Sequence, residues 1–439
     1  MDVDNGSRRV FNRLGRHSSS SSSSSSAAAP SSMDAPPKVC YHWRAGRCYK
    51  HPCPYLHSEL PQMNENGATA KRSHGFQDGR NVSGYQTFAR RKQNNPNFNS
   101  SNPPQMASKW GRGFKAPQKI QDKCCHFWME GKCAYGDKCK YQHQWFVGDS
   151  FSMLTQLAGH EKGINAIAFP MGSDKLYSGS KDETVRVWDC QTGQCVGVVN
   201  MGGDIGCIIS EGPWIFVGAP NFVKAWNAQT NADLSLSGPV GQVYALVVGN
   251  DMLFAGIQDG NILAWRFNAA TNSFEPAASL NGHSLSVVSL VVGANRLYSG
   301  AMDKTVRVWD LDTLQCVQVL SEHKDVVMSV LCWDQFLISC SLDRTVKVWA
   351  ATDSGNLEVT YTHNEEQGLL ALCGMHDGET KPILACSCND NVVRLYDLPS
   401  FNERGKIFSK EEIRAIQVGP GGLFFTGDGA GDLKVWKWS

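Results

Sequence analysis

The 439-residue chain contains no stretch of about 18 apolar residues, so nothing in it predicts a membrane-crossing helix. Its opening, Met1-Asp2-Val3-Asp4-Asn5-Gly6-Ser7-Arg8-Arg9, lacks the apolar run of a secretory leader. No glycine-rich phosphate loop and no nucleophile-elbow pattern is present, which removes two large classes of enzyme. The even cysteine density of a short disulfide scaffold is missing too. Of the 16 cysteines, seven lie in two tight clusters and nine are spread through an apolar-rich region. That distribution predicts metal sites plus buried thiols in a reducing compartment, and hence an intracellular protein. Net charge is almost absent, with 42 basic against 41 acidic side chains.

The neutrality is a cancellation. Residues 1–150 carry 22 basic and 10 acidic side chains, a net of +12, whereas the remainder carries 20 and 31, a net of −11. Such a split predicts a phosphate-seeking arm joined to a body that phosphate avoids. Residues 1–38 are rich in Ser, Ala and Pro, with nine serines from Ser18 to Ser26, and bury too little apolar surface to offset their ordering entropy. They are expected to be disordered. A cysteine cluster occupies 39–58, a polar basic stretch expected to be a flexible linker covers 59–122, and a second cluster covers 123–146. Beyond 151 the texture becomes short β-rich runs punctuated by turn residues.

The clusters read Cys40-x7-Cys48-x4-Cys53-x3-His57 and Cys125-x7-Cys133-x5-Cys139-x3-His143. Three thiolates and an imidazole form a closed tetrahedral zinc set with no open position for water. Segments of this length have almost no core, so metal binding should supply most of their folding free energy. Two zinc ions, one per finger, are expected. The clusters also agree outside the ligands: Trp43 with Trp128, Gly46 with Gly131, Arg47 with Lys132, Tyr55 with Tyr141. Cys124 competes with Cys125 as first ligand; Cys125 is preferred because it aligns Trp128 with Trp43.

These clusters resemble CCCH zinc fingers, a family that mostly binds single-stranded RNA. The resemblance implies base stacking by Trp43, Tyr49 and Tyr55 in finger one and by Trp128, Tyr135 and Tyr141 in finger two, with Arg47, Lys132 and Lys140 among the nearby cations. Stacking is sequence-tolerant and worth about 1–3 kcal/mol per base. One aromatic per finger could instead pack against the metal site. The x7 spacing and the 67 residues between His57 and Cys125 differ from the AU-rich-element type, so that specificity is not carried over. A flexible linker of that length spans on the order of 45 Å, which predicts avidity from two local sites. In the linker, Arg90-Arg91-Lys92 and Trp110-Gly111-Arg112-Gly113-Phe114 could either contact RNA or serve as a solvated spacer.

From 151 onward a repeat emerges. The run Ser178 to Asp189 recurs at Ser299 to Asp310 and at Ser339 to Trp349, and weaker copies end at Trp226, Trp265, Tyr396 and Trp436. Anchors at 188, 226, 265, 309, 349, 396 and 436 predict an all-β, seven-bladed propeller over 151–439. This region resembles WD-repeat propellers, with Gly159-His160, Gly282-His283, Trp188-Asp189 and Trp309-Asp310 as the matching pairs. Blade two departs most, and blades three and seven lack the His, which predicts less rigid blades. Because the chain runs only three residues past Trp436, the segment Phe151 to Leu157 is expected to provide blade seven with its outer strand. The sets His160/Ser178/Asp182/Trp188, His283/Ser299/Asp303/Trp309 and His323/Ser339/Asp343/Trp349 look like hydrolase constellations. Their repetition at a structural period predicts buried strand-tying networks instead, so no catalytic residue and no small-molecule substrate are expected. Several of the nine scattered cysteines are expected to act as small hydrophobes, and Cys386 and Cys388 to be a poor metal pair with no third Cys close by.

Together the two modules resemble the plant CCCH-and-WD-repeat proteins, the zfwd group. The resemblance implies a zinc-dependent nucleic-acid-binding adaptor in which RNA is favoured over DNA, the propeller recruits a protein partner, and the location is nuclear. Two other readings stay open. One is a DNA-associated transcription or chromatin factor, although no segment presents a recognition helix. The other is a protein-interaction scaffold such as a ubiquitin-ligase substrate receptor, for which Gln191 and Asp312 stand where cullin-linked relatives often carry Arg.

Overall fold

The structure, a computed structural model, describes residues 120–148, 151–170, 172–230 and 232–438. The serine-rich start, finger one and the linker lie outside the described residues. Seven antiparallel sheets are built from residues 146–438, six of four strands and one of five. Each anchor predicted from the repeat lies on the third strand of its blade at one register position. Trp188 faces Leu176, Trp226 faces Ile215, Trp265 faces Leu253 and Trp309 faces Leu297. Trp349, Tyr396 and Trp436 face Leu337, Leu384 and Phe424 in the same way. The period read from the sequence is thus a period in space. Among the described residues no helix is long and apolar enough to cross a membrane.

Closure follows the expected route. The strand Phe151–Leu157 pairs antiparallel with Leu433–Trp438 as the outer strand of blade seven. Its inward residues, Phe151 and Leu157, are buried, and Phe151 meets Phe424, Trp436 and Trp438 at ring distances of 5.3–5.8 Å. Pairing the first strand with the last removes an exposed sheet edge.

In blades one, four and five the repeated polar set is the buried network that its periodicity predicts. His160 Nδ1 lies 2.8 Å from Asp182 Oδ2 and its Nε2 2.7 Å from Ser178 Oγ, while Trp188 Nε1 donates to the same Oγ at 2.8 Å. The geometry repeats within 0.1 Å around His283 and His323. A neutral imidazole satisfies every contact, with Nδ1–H donating to the carboxylate and Nε2 accepting from the serine. The carboxylate also fixes the hairpin turn: Asp182 Oδ1 accepts from Thr184 N and Oγ1. One position in that turn has positive φ in all seven blades: Glu183, Asn221, Gly260, Lys304, Arg344, Asn391 and Gly431. The three ordinary side chains, Glu183, Lys304 and Arg344, belong to the blades with the network. There its hydrogen bonds offset a conformational cost of about 1–2 kcal/mol; the other blades use Gly or Asn.

Two blades that lack the full set, seven and six, have substitutes. In blade seven Trp436 Nε1 donates to Thr426 Oγ1 at 2.9 Å, and Ser409 takes the histidine's role by donating to Asp428 Oδ2 at 2.6 Å. In blade six Tyr396 donates to Glu365, which also faces Arg394 at 3.6 Å. Burial pushes the thiols of Cys340, Cys386 and Cys388 far up, Cys388 to about 12, so all three are protonated apolar fillers. Cys340 packs in the same core as the pair, so a third cysteine does lie close, brought there by the neighbouring blade rather than by sequence.

The networks make stability pH-dependent in one direction. Burial raises the Asp182 carboxyl, but hydrogen bonds from Thr184, the Glu161 amide and His160 outweigh it and hold the group at about 2 against an ordinary 3.8. Burial also holds His160 and His323 below the ordinary 6.5, despite their carboxylate partners. Both kinds of group bind fewer protons when folded than unfolded, so stability rises with pH through their titration range. Urea midpoints are expected to fall as pH drops below 6.5 and more steeply between 3.8 and about 2. A midpoint that holds level from pH 7 to pH 4 would contradict this assignment.

Candidate metal centre

Finger two is built from very short elements whose ends set the ligands. The strand Ile120–Cys124 runs parallel to Tyr141–Gln142, and Cys125 N donates to Gln142 O at 2.9 Å, which brings Cys125 beside His143. The helix His126–Met129 starts immediately after Cys125 and ends at Gly131, whose φ of +70° suits only the helix-terminating left-handed turn. A single 3-10 turn, Gly136–Lys138, then delivers Cys139. The result gathers one ligand atom each from Cys125, Cys133, Cys139 and His143 within 4.8 Å of one another.

The donor set fits a structural metal. His143 Nε2 is buried and has no hydrogen-bond partner, an arrangement that is costly unless a metal takes that lone pair. Backbone N–H groups of Tyr135 and Gly136 lower the Cys133 thiol, favouring the thiolate; burial raises Cys125, partly offset by the Trp128 amide. Three thiolates and one imidazole are the set zinc prefers, with every position taken by protein. Cys124 is not part of it. Its Sγ lies 3.4 Å from the carbonyls of Gln142 and Gln144, and burial pushes its thiol up to about 11. Cys125, the preferred first ligand, thus lies in the cluster and Cys124 lies outside it.

The expected nucleic-acid residues separate into two groups. Tyr135 and Tyr141 are 72% and 41% exposed, with Lys140 in solvent beside them and Lys132 exposed but paired with Glu130 at 3.0 Å. Trp128, expected to stack on a base, instead packs inward. Its ring stacks on His143 at 5.8 Å with a 10° interplanar angle and meets Trp145 at 5.1 Å. Sequence reasoning missed Phe127, which is 60% exposed in the short helix His126–Met129. The missed signal was its outward position relative to Trp128, since consecutive helical residues cannot face the same way. Cys40, Cys48, Cys53, His57, Trp43, Arg47, Tyr49 and Tyr55 of finger one lie outside the described residues.

Finger two is seated on blade six. The strand Phe146–Gly148 pairs antiparallel with Asn402–Phe408 as a fifth strand, an element that no sequence pattern indicated. A cleft of about 970 Å³ lies between finger and blade, and its wall mixes Lys123, Lys410 and Arg394 with Glu365, Glu366 and Asp390. Such balanced charge offers no continuous path for a phosphate backbone.

Comparison with known proteins agrees with this architecture. The family described as "WD domain, G-beta repeat" matches residues 151–189, 274–310 and 314–350. Over 440 residues the chain is 60% identical to zinc finger CCCH domain-containing protein 48 of Arabidopsis thaliana, with 100% of this chain and 98% of the relative covered. It is 61% identical over 453 residues to zinc finger CCCH domain-containing protein 17 of Oryza sativa subsp. japonica, with the same coverage. The WD40 β-propeller domain of Doa1 matches with a TM-score of 0.56 at 20% identity, covering 66% of this chain and 97% of that one, a likeness of fold alone. With its four-ligand cluster fixed to a seven-bladed propeller, the chain belongs to the plant CCCH zinc finger domain-containing proteins that carry WD repeats.

Proposed function

We propose that this chain is a zinc-dependent adaptor that binds single-stranded RNA through its fingers and a protein partner through its propeller, acting by binding rather than catalysis. The carrying observation is the set of exposed rings, Phe127, Tyr135 and Tyr141, on the same short segment that gathers a half-buried four-ligand cluster. Unstacked bases stack on such π-faces. Two zinc ions, one per finger, hold the rings in place by closing the ligand sets. Lys138 and Lys140, exposed beside the rings, supply cations for the backbone, while the −11 propeller repels phosphate and keeps the nucleic acid on the finger side. The partner site is assigned to the propeller because its blades expose broad loops on a rigid scaffold. The place of action is nuclear, to be checked by imaging the tagged full chain.

Anisotropy titrations of the full chain against single-stranded RNA and duplex DNA pools, across a salt series, test this reading. Tight RNA binding that chelation abolishes is expected, with a log–log salt slope of about −0.7 per phosphate contacted. Phe127→Ala, Tyr135→Ala and Tyr141→Ala should each weaken it by about 1–3 kcal/mol, or roughly 5- to 150-fold. Preference for duplex DNA, or binding indifferent to chelation, would sink the RNA reading.

A further inference from the structure

Finger two touches the propeller where the ring closes, and the contact begins at a metal ligand. The His143 ring stacks on Trp128, and Trp128 meets Trp145. Lys434 Nζ sits over the Trp145 ring at 4.6 Å and pairs with Asp428 at 3.1 Å, both side chains being almost fully buried in blade seven. Asp428 in turn accepts from Ser409. A buried lysine needs its charge partners held in place, and one of them, the Trp145 face, is positioned by the finger. The backbone continues the contact: Phe408 N donates to Trp145 O at 2.8 Å, followed by the pairs Ile407↔Phe146, Lys406↔Val147 and Gly405↔Gly148.

The seat is specific. A Cβ at Gly405 would lie 2.8 Å from the Phe146 ring, and one at Gly148 would lie 2.7 Å from both that ring and Arg404 O. Glycine at both positions lets Phe146 lie flat on blade six. From there it reaches Phe151 at 5.4 Å, and Phe151 belongs to the strand that closes the ring. Trp145 and Phe146 also pack on the core shared by blades six and seven. The fifth strand is only three residues long, so its own ladder is too short to hold it there.

We propose that the metal centre of finger two is a clasp on the closing seam of the propeller. Metal binding holds His143 and Trp128 in the one arrangement that seats Trp145 and keeps Phe146–Gly148 paired with blade six. Loss of the metal frees that strand and loosens the seam beside it, so zinc supply is read out in the propeller as well as at the RNA surface. This rests on the zinc reading of the finger. It goes beyond that reading by making finger and propeller one cooperative unit rather than two tethered modules.

Hydrogen exchange on the full zinc-loaded chain, with zinc content measured in parallel, tests the clasp. On chelation, amides of Phe146–Gly148 and of its partner Asn402–Phe408 should exchange at least roughly tenfold faster, while blades two to four stay unchanged. Cys133→Ser, which removes one ligand of this finger and none of finger one, should reproduce that pattern without chelator. Trp145→Ala should keep its zinc yet exchange fast in both conditions. The clasp is overturned if zinc leaves finger two and exchange at Asn402–Phe408 does not change, or if all blades respond equally. A chain that holds no zinc at finger two would instead overturn the underlying metal reading, so the two failures are distinguishable.

Discussion

Cys139→Ser is expected to abolish the folded state of finger two and to lower the zinc content of the full chain by one equivalent. Cys139 is one of two buried thiols in the four-ligand set, and the segment around it has only a four-residue helix and single turns to fall back on. Structural zinc in such peptides contributes about 10–16 kcal/mol of apparent free energy, far more than helices this short can supply. The loss should therefore be complete rather than graded. Atomic absorption on the purified chain measures the stoichiometry, and under the proposed function anisotropy should show RNA affinity falling with it. Cys124→Ser is the matched control, because that thiol faces the Gln142 and Gln144 carbonyls, and it should keep the zinc content of the parent chain. If Cys124→Ser loses the zinc and Cys139→Ser retains it, the ligand assignment is wrong.

The other large effect concerns ring closure. Phe151→Ala in the full chain removes a buried ring that meets Phe146, Phe424, Trp436 and Trp438, and should cost about 3–5 kcal/mol of stability. Severing the chain at residue 158 should cost more still. The backbone link to Phe151–Leu157 then disappears, and when that strand departs Leu433–Trp438 is left as an unpaired edge with two tryptophans behind it. Total stabilities of domains run to about 5–15 kcal/mol, so the severed chain should be largely open or aggregated at room temperature. Urea unfolding followed by tryptophan fluorescence reads both variants. For Phe151→Ala a lowered midpoint with an unchanged slope is expected, the mark of lost stability without a change of mechanism. A midpoint equal to that of the parent would show that closure does not depend on this strand.

The same residues show how far sequence reasoning reached. Repeats betray themselves because each blade solves one packing problem with one set of side chains, so the tryptophan period and the His-Ser-Asp-Trp sets are legible in the sequence alone. Ligand spacing was legible for a related reason: a tetrahedral metal imposes fixed loop lengths on a short chain. Closure by Phe151–Leu157 followed from strand counting, since a sheet lacking its outer strand must find one.

What the sequence determined by itself, then, is whatever repeats or is bound by local geometry: seven blades, the strand-tying networks, the CCCH set and the charge division between the halves. Tertiary structure alone decided which way side chains face when two solutions share one pattern. Trp128 aligns with Trp43 and reads as a stacking ring, but its surroundings, His143 and Trp145, are fixed only when the finger meets blade six. Cys124 and Cys125 are adjacent and chemically identical, and in the folded finger, where Cys125 N bonds Gln142 O, Cys125 joins the ligand cluster while Cys124 Sγ faces the Gln142 and Gln144 carbonyls. The fifth strand is three residues with no alternation to reveal it, and the glycine that admits it, Gly405, lies more than 250 residues away in the chain. Pairing between such distant segments leaves no periodic trace, because it depends on a surface that exists only once the ring has closed.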